Sequence, residues 1–339
     1  MSHLLMSFKE LRRKTVFEEV KAGRMALVEA ARRLGLSYRQ TCRSYRRFAA
    51  DGDTGLVHRS RGRPSNRALP VKLRSKVLAR YEERYEGFGP TLAAEKLAQD
   101  GLVVDHETLR RWLLTKGLLQ RRRKGVVHRE RRERKAHFGE LVQMDGSIHK
   151  WFGLDHGYFC LMGMSDDATG HRVALLDHGE TTELAMRTLW LWIERYGIPQ
   201  SLYTDKKSVY MTDREPTLDE QLADETPKTA FGKACARLGI EIITANSPQA
   251  KGRIERSHGV FQDRFVKELA LRRITTIKGA NKLLLNGFTD ELNAKFNREP
   301  ASARDVHRPL PKGLNLADVF CFEQTRTVQN DWTIQYENE

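Results

Sequence analysis

The chain has 339 residues and is basic overall, with 59 Lys and Arg against 44 Asp and Glu, or +15. The excess is uneven: residues 1–137 carry 34 basic and 15 acidic side chains, whereas residues 138–339 carry 25 and 29. The first part is suited to a polyanion and the second concentrates carboxylates. No apolar run reaches the length of a membrane span and no signal-peptide pattern opens the chain, so a membrane partner is not expected. The four cysteines, Cys42, Cys160, Cys235 and Cys321, have no CxxC or zinc-ligand spacing and read as reduced thiols of a cytoplasmic protein. The length accommodates two or three domains.

Residues 1–55 read as a helix-turn-helix DNA-binding domain. Met25 to Leu34 has helical apolar spacing, Gly35 suits a left-handed turn, and Ser37 with Gln40 forms a capping-box pattern before a second helix, Tyr38 to Phe48. That helix carries Arg39, Gln40, Arg43, Arg46 and Arg47, residue types that reach phosphates and base edges in a major groove. Residues 56–70 form a basic linker containing RSRGRPSNR. Its Arg61-Gly62-Arg63-Pro64 core is similar to the AT-hook, but four residues are a weak signal and a plain basic linker that touches phosphates is the favoured reading.

Residues 71–119 read as a second helix-turn-helix domain. Lys72 to Tyr85 is helical, Thr91 caps Leu92 to Asp100, and Asp105 caps His106 to Leu114, which presents His106, Glu107, Arg110 and Arg111, with Glu107, Glu82, Glu83 and Glu86 diluting the basic face. Residues 120–137 follow as a basic linker. Arg121 to Lys135 holds nine Lys or Arg, including Arg121, Arg122, Arg123 and Lys124, a composition suited to tracking a DNA backbone.

Residues 138–297 change character. Leu141 to Met144, Tyr158 to Met164 and Arg172 to Leu176 read as successive strands, and Thr182 to Tyr196 as an amphipathic helix. A fourth strand, Ser201 to Thr204, precedes a helix over Ala230 to Leu238 and a fifth strand, Glu241 to Thr244. Asp145 and Asp205 each sit just past a strand. The helix after Pro248 has a packing stripe of Ile254, Phe261, Phe265 and Leu269, with Lys251, Glu255, His258 and Gln262 on the polar face. Two strand carboxylates and one helix carboxylate can converge, and three close acids need a neutralising hard cation such as Mg²⁺ or Mn²⁺. A single helix is expected over Thr275 to Phe296. Residues 298–339 read as a linker and an incomplete β module, with short strands at Val319 to Phe322, Arg326 to Gln329 and Trp332 to Tyr336.

Three blocks carry a resemblance: MDGS at Met144 to Ser147, YTDKKSVY at Tyr203 to Tyr210, and ANSPQAKGRIERSHG at Ala245 to Gly259. Together they resemble DDE transposases of bacterial insertion sequences, whose catalytic core is of the retroviral-integrase type. The resemblance implies a multidomain protein: an all-α helix-turn-helix region, an α/β RNase H-like core with a mixed five-stranded sheet, and a short β segment at the C-terminus. It implies that the first and fourth strands are neighbours, with Asp145, Asp205 and Glu255 as catalytic and metal-binding residues around two Mg²⁺ or Mn²⁺ ions. His258 is then a possible outer-shell residue.

The implied activity is cleavage at transposon ends followed by strand transfer into target DNA, by a homo-oligomer bound to double-stranded inverted-repeat ends. An inactive DNA-binding regulator and an RNase H-type nuclease are the alternatives. Two departures stand out. Many relatives have Asp-Asn-Gly at the second acid, where this chain has Asp205-Lys206-Lys207, both lysines being candidate phosphate contacts like Lys251; and Tyr210 to Lys228 inserts an acidic loop.

Overall fold

The structure, a computed structural model, describes residues 5–58, 60–62, 67–120, 132–222, 226–244, 252–323, 326, 328–330 and 332–334. The candidate DNA contacts Arg63, Arg121, Arg122, Arg123, Lys124 and Lys251 lie outside the described residues. The chain divides into two compact units, Met1–Arg74 and Ser75–Glu339.

In the first unit α1 (Phe8–Lys21), α2 (Leu27–Leu34) and α3 (Tyr38–Asp51) enclose Val16, Phe17, Ala30, Phe48 and Leu56. The turn expected between α2 and α3 forms as read: Gly35 takes a left-handed φ of 64°, and Ser37 Oγ accepts the Gln40 N–H at 3.3 Å. Glu10 is buried at the start of α1 and accepts from the Ser7 N–H at 2.7 Å and from Arg61 Nη2 at 2.5 Å. Those donors hold its carboxyl down at about 2, with burial opposing them.

The second unit begins near the start of α4 (Val71–Arg84), followed by α5 (Pro90–Gln99) and α6 (His106–Lys116). Leu92, Leu97, Leu109 and Leu113 are buried, and Asp105 caps α6 by accepting from Glu107 and Thr108 N–H. Thr91 does not cap α5: the helix starts two residues earlier, with Gly89 at the cap and Pro90 in the first turn, where a missing N–H costs nothing.

These helices join an α/β assembly built on one mixed sheet. Its strands are β1 (Val142–His149), β2 (Phe159–Asp166), β3 (Arg172–Asp177), β4 (Ser201–Thr204) and β5 (Glu241–Thr244), in the order β3-β2-β1-β4-β5. β1 is antiparallel to β2 and parallel to β4, so the first and fourth strands are neighbours. One face carries Val142, Met144, Cys160, Met162 and Met164 against α7 (Thr182–Tyr196) and α9 (Ala230–Arg237); a short α8 (Leu218–Leu222) precedes α9. The other face packs Leu161, Ala174 and Leu176 against Phe261, Phe265 and Leu269 of α10 (Gly252–Leu271). Strand alternation places Gln143, Asp145 and Ser147 on this second face.

Three expectations are corrected. Asp145 lies inside β1, which runs five residues beyond Met144, because β2 continues to pair with it through His149. The helix expected over Thr275 to Phe296 is broken into α11 (Ile277–Leu283) and α12 (Thr289–Phe296), with Gly287 at φ 109° between them. The break lets two asparagines close the outer edge of β3: Asn281 exchanges amide bonds with Leu176 N–H and C=O, and Asn293 does so with Arg172. Val319 to Phe322 is not a strand; Val319 ends α13 (Leu316–Val319), whose Leu316 and Val319 pack into the α7 side of the core. Among the described residues, 298–339 contributes no strand to the sheet. No helix of the described residues is long and apolar enough to cross a membrane.

Candidate active site

The register of the parallel pair sets the two aspartates. Val142 faces Leu202 and Gln143 faces Tyr203. Carried two residues further, the same register brings Asp145 level with Asp205, which follows the last residue of β4. Residues level with one another on adjacent strands point to one face.

α10 lies along that face of β1, held at two places. Gln143 Oε1 accepts the Ile254 N–H at 3.1 Å, and Ser147 Oγ accepts from Gln262 Nε2 at 3.1 Å. Asp145 sits between these tethers. It also pairs with Gly163 of β2, and a Cβ on Gly163 would lie 2.9 Å from His258 Nε2, so His258 rests on the backbone beside Asp145. His258 is 6% exposed. This corrects its expected outward position: at i+4 from Ile254 it belongs to the packing stripe. Glu255, one residue after the Gln143 tether, is exposed in the first turn of α10. The other end of α10 is fastened to α5. Arg264 forks onto Glu95 at 2.7 and 2.9 Å, and Lys96 reaches Glu268 at 2.6 Å.

The sequence reading missed a third carboxylate beside the aspartates. Glu180, just before α7, is 9% exposed, and its Oε2 accepts from Lys207 Nζ at 2.6 Å; the same ammonium is 3.2 Å from Asp205 Oδ2. A Cβ on Gly146 would lie 2.6 Å from Glu180 Oε2 and 3.0 Å from Cys160 Sγ, so the glycine of MDGS is what lets this carboxylate pack against β1, on the face that carries Met144 and Cys160 rather than the one that carries Asp145. Negative charge is concentrated here. Burial first, then Glu180 and Asp145, push the Cys160 thiol up to about 12, with Lys207 opposing. Burial followed by Glu180, Asp205 and Asp145 drives the Tyr210 phenol well above its ordinary value.

The convergence is not a finished metal cage. Among the described residues no three His, Cys, Asp or Glu are gathered closely enough to hold a metal ion. The donor chemistry nevertheless suits a hard cation: hard carboxylate oxygens, a buried Glu180 Oε1 that takes no hydrogen bond among the described residues, and one lysine set among the acids.

A basic cluster adjoins the start of α10. Fully buried Asp167 accepts from Arg132 Nη2 at 2.5 Å, from Gln143 Nε2 at 3.0 Å and from Arg253. Arg134 donates to the Asp167 and Ala168 carbonyls at 3.0 Å. Burial, then the nearness of Arg253, Arg298 and Arg256, lowers the Arg134 pKa. Guanidiniums thus outnumber the carboxylate they surround. The sequence signal was available only in part: Gln143 is two residues from Asp145 and so shares its face, but nothing local ties Arg134 to Arg298.

The remaining candidates fall into two groups. Arg39, Gln40, Arg43 and Arg46 are exposed on α3, opposite buried Thr41, Ser44 and Phe48, and Arg47 is partly buried against Ser44 Oγ. Lys206 and His106 are also exposed. Others are already engaged: Arg61 binds Glu10 and the Leu5 carbonyl, and Glu107 takes Arg110 at 2.7 Å with Arg111 at 3.7 Å.

Two known proteins match nearly the whole of this chain, which spans about three quarters of each of them. The chain is 40% identical over 344 residues to "Putative transposase y4bF" of Sinorhizobium fredii (strain NBRC 101917 / NGR234), covering 100% of this chain and 74% of that protein. It is 28% identical over 366 residues to the transposase for insertion sequence IS1202 of Streptococcus pneumoniae, covering 97% and 77%. Among solved structures, the HTLV-2 integrase catalytic core domain in complex with magnesium aligns with a TM-score of 0.33 at 18% identity, over 44% of this chain and 86% of that one. No family model matches the chain.

Proposed function

Because the chain belongs to the family of bacterial insertion-sequence transposases, we propose that it binds the ends of its own element, cuts them, and joins the freed 3′ ends to target DNA. The observation that carries this reading is the parallel pairing of β1 with β4, whose register carried on brings Asp145 level with Asp205 just past β4, with the Glu255 helix tethered to β1 through Gln143. Asp145, Asp205 and Glu255 would hold two Mg²⁺ or Mn²⁺ ions. Such ions supply Lewis-acid stabilisation to the attacking and departing oxygens of an in-line phosphoryl displacement. In the first step water displaces the 3′ oxygen at the element end; in the second, that 3′-OH attacks a target phosphodiester and the target's own 3′ oxygen leaves.

The protein's own part is placement. α10 sets Glu255 through the Gln143 tether, and His258 fills the space beside Gly163 so that the helix cannot settle deeper. The guanidiniums of Arg134, Arg253, Arg256 and Arg298, grouped around one buried aspartate, are suited to the phosphates of the strand entering the site. In the first unit α3 reads the element end through Arg39, Gln40, Arg43 and Arg46. A homo-oligomer would pair two ends.

The test is incubation of a labelled element end with target plasmid and Mn²⁺. Joined products are expected from the native chain, and end binding without products from Asp205→Asn. Cut but never joined DNA would favour a nuclease, and tight end binding with no cutting by the native chain would favour a regulator.

A further inference from the structure

Lys207 lies two residues after Asp205, and its surroundings give it a task. Its ammonium lies 2.6 Å from Glu180 Oε2 and 3.2 Å from Asp205 Oδ2, while its own backbone N–H reaches Asp205 Oδ1 at 3.4 Å. The Asp205-Lys206-Lys207 turn therefore folds the lysine back over the carboxylate that opens it. Glu180 is set apart from a surface partner by its burial, at 9% exposure, and by its seat against Gly146, the residue after Asp145. Its second oxygen, Oε1, is buried and accepts no hydrogen bond among the described residues. A buried carboxylate with one oxygen unmet is costly unless a cation stays with it. Lys207 thus has two berths within reach of one side chain.

We propose that Lys207 is a tethered cation that occupies the Asp205 carboxylate until a divalent ion displaces it, and that Glu180 is the berth that keeps the displaced ammonium. This rests on the reading of Asp205 as a metal ligand. A monovalent ammonium offers its three donors to both acids, but a divalent ion must take Asp205 for itself. Apparent metal affinity is then reduced by the fraction of time Lys207 spends on Asp205. Glu180 limits that reduction by giving the ammonium somewhere else to stay. Without Glu180 the lysine collapses onto Asp205 and competes harder. The two residues therefore have opposite effects on metal binding although they are partners in one ion pair.

Mn²⁺ titration of the full chain without DNA, by calorimetry, separates the possibilities; thermal melting verifies the fold of each variant. Lys207→Met is expected to tighten Mn²⁺ binding on the order of tenfold, and Glu180→Gln to weaken it by a similar factor. The double variant, Lys207→Met with Glu180→Gln, is expected to bind more tightly than Glu180→Gln alone, because the competitor is gone. Unchanged or weaker binding by Lys207→Met, with Asp205→Asn still abolishing binding, overturns the guard and leaves the metal site standing. A double variant no tighter than Glu180→Gln alone also overturns it, showing Glu180 to be a simple source of negative charge. If Lys207→Met does not fold, the comparison of Glu180→Gln with the native chain decides: equal or tighter binding rejects the proposal. Mn²⁺ binding that ignores Asp205→Asn, or is missing from every variant, removes the metal reading itself.

Discussion

Helices α3 and α6 both display arginines at neighbouring positions, yet they hold them differently. On α3, Arg39, Arg43 and Arg46 are exposed along one flank, and no acid occurs between Tyr38 and Ala50. On α6, Glu107 forks onto Arg110 and approaches Arg111, so the helix neutralises its own charge. α3 carries four arginines and α6 two, but the count alone does not say how much of that charge is available. What a phosphate meets is the charge left over after internal pairing, and a lost ion pair must be repaid before a new one forms.

The largest effect bounds the comparison from outside, at a residue that reads nothing. Asp205→Asn should lower end cleavage on the order of a thousandfold with end affinity unchanged, because only the chemical step needs that carboxylate. Loss of end binding in this variant, measured by gel shift, would mean that reading and chemistry are not separable. Next, Arg43→Ala with Arg46→Ala on α3 should weaken binding to the element end about a hundredfold at fixed salt and flatten its salt dependence. A change under about threefold would break the contrast with α6.

Sharpening comes from α6. Arg110→Ala should alter DNA affinity by less than about twofold, whereas Glu107→Gln, which releases two guanidiniums, should strengthen non-specific binding about threefold. If Arg110→Ala matches the α3 variants, internal pairing is not what decides availability. The smallest effect concerns the scaffold beneath α3. The Glu10 carboxyl lies at about 2, below its ordinary 4.5, so its stabilisation of the first unit is complete above pH 4.5 and is lost as pH falls toward 2. Hydrogen exchange of α1 amides should show that loss, and Glu10→Gln should remove its pH dependence in this window.

Much of the sheet was legible because its strands are short apolar runs bounded by turn residues, and because period-two alternation assigns faces without knowledge of neighbours. The order of β1 and β4 came from resemblance, not from pattern. The rest depended on long-range packing. His258 looked polar and outward until helix period and contact with Gly163 placed it in the buried stripe. Glu180 is 35 residues after Asp145 in the chain and no spacing rule links them; only the gap above Gly146 does. The break at Gly287 was hidden by Leu284, Phe288 and Leu292, whose apolar spacing continues across it. Val319 had strand-like composition but a helical neighbour in Leu316, and burial of both against the α7 core decided the outcome.

The central claim is that Asp145, Asp205 and Glu255 grip divalent ions together. Anomalous diffraction at the manganese edge, from crystals of the full chain bound to its element end and soaked in Mn²⁺, tests it directly. Two peaks are expected in the space between β1, β4 and the start of α10, with oxygens of all three carboxylates about 2.1 Å from metal. Manganese held elsewhere, or held by the aspartates while Glu255 stays pointed into solvent, would contradict it.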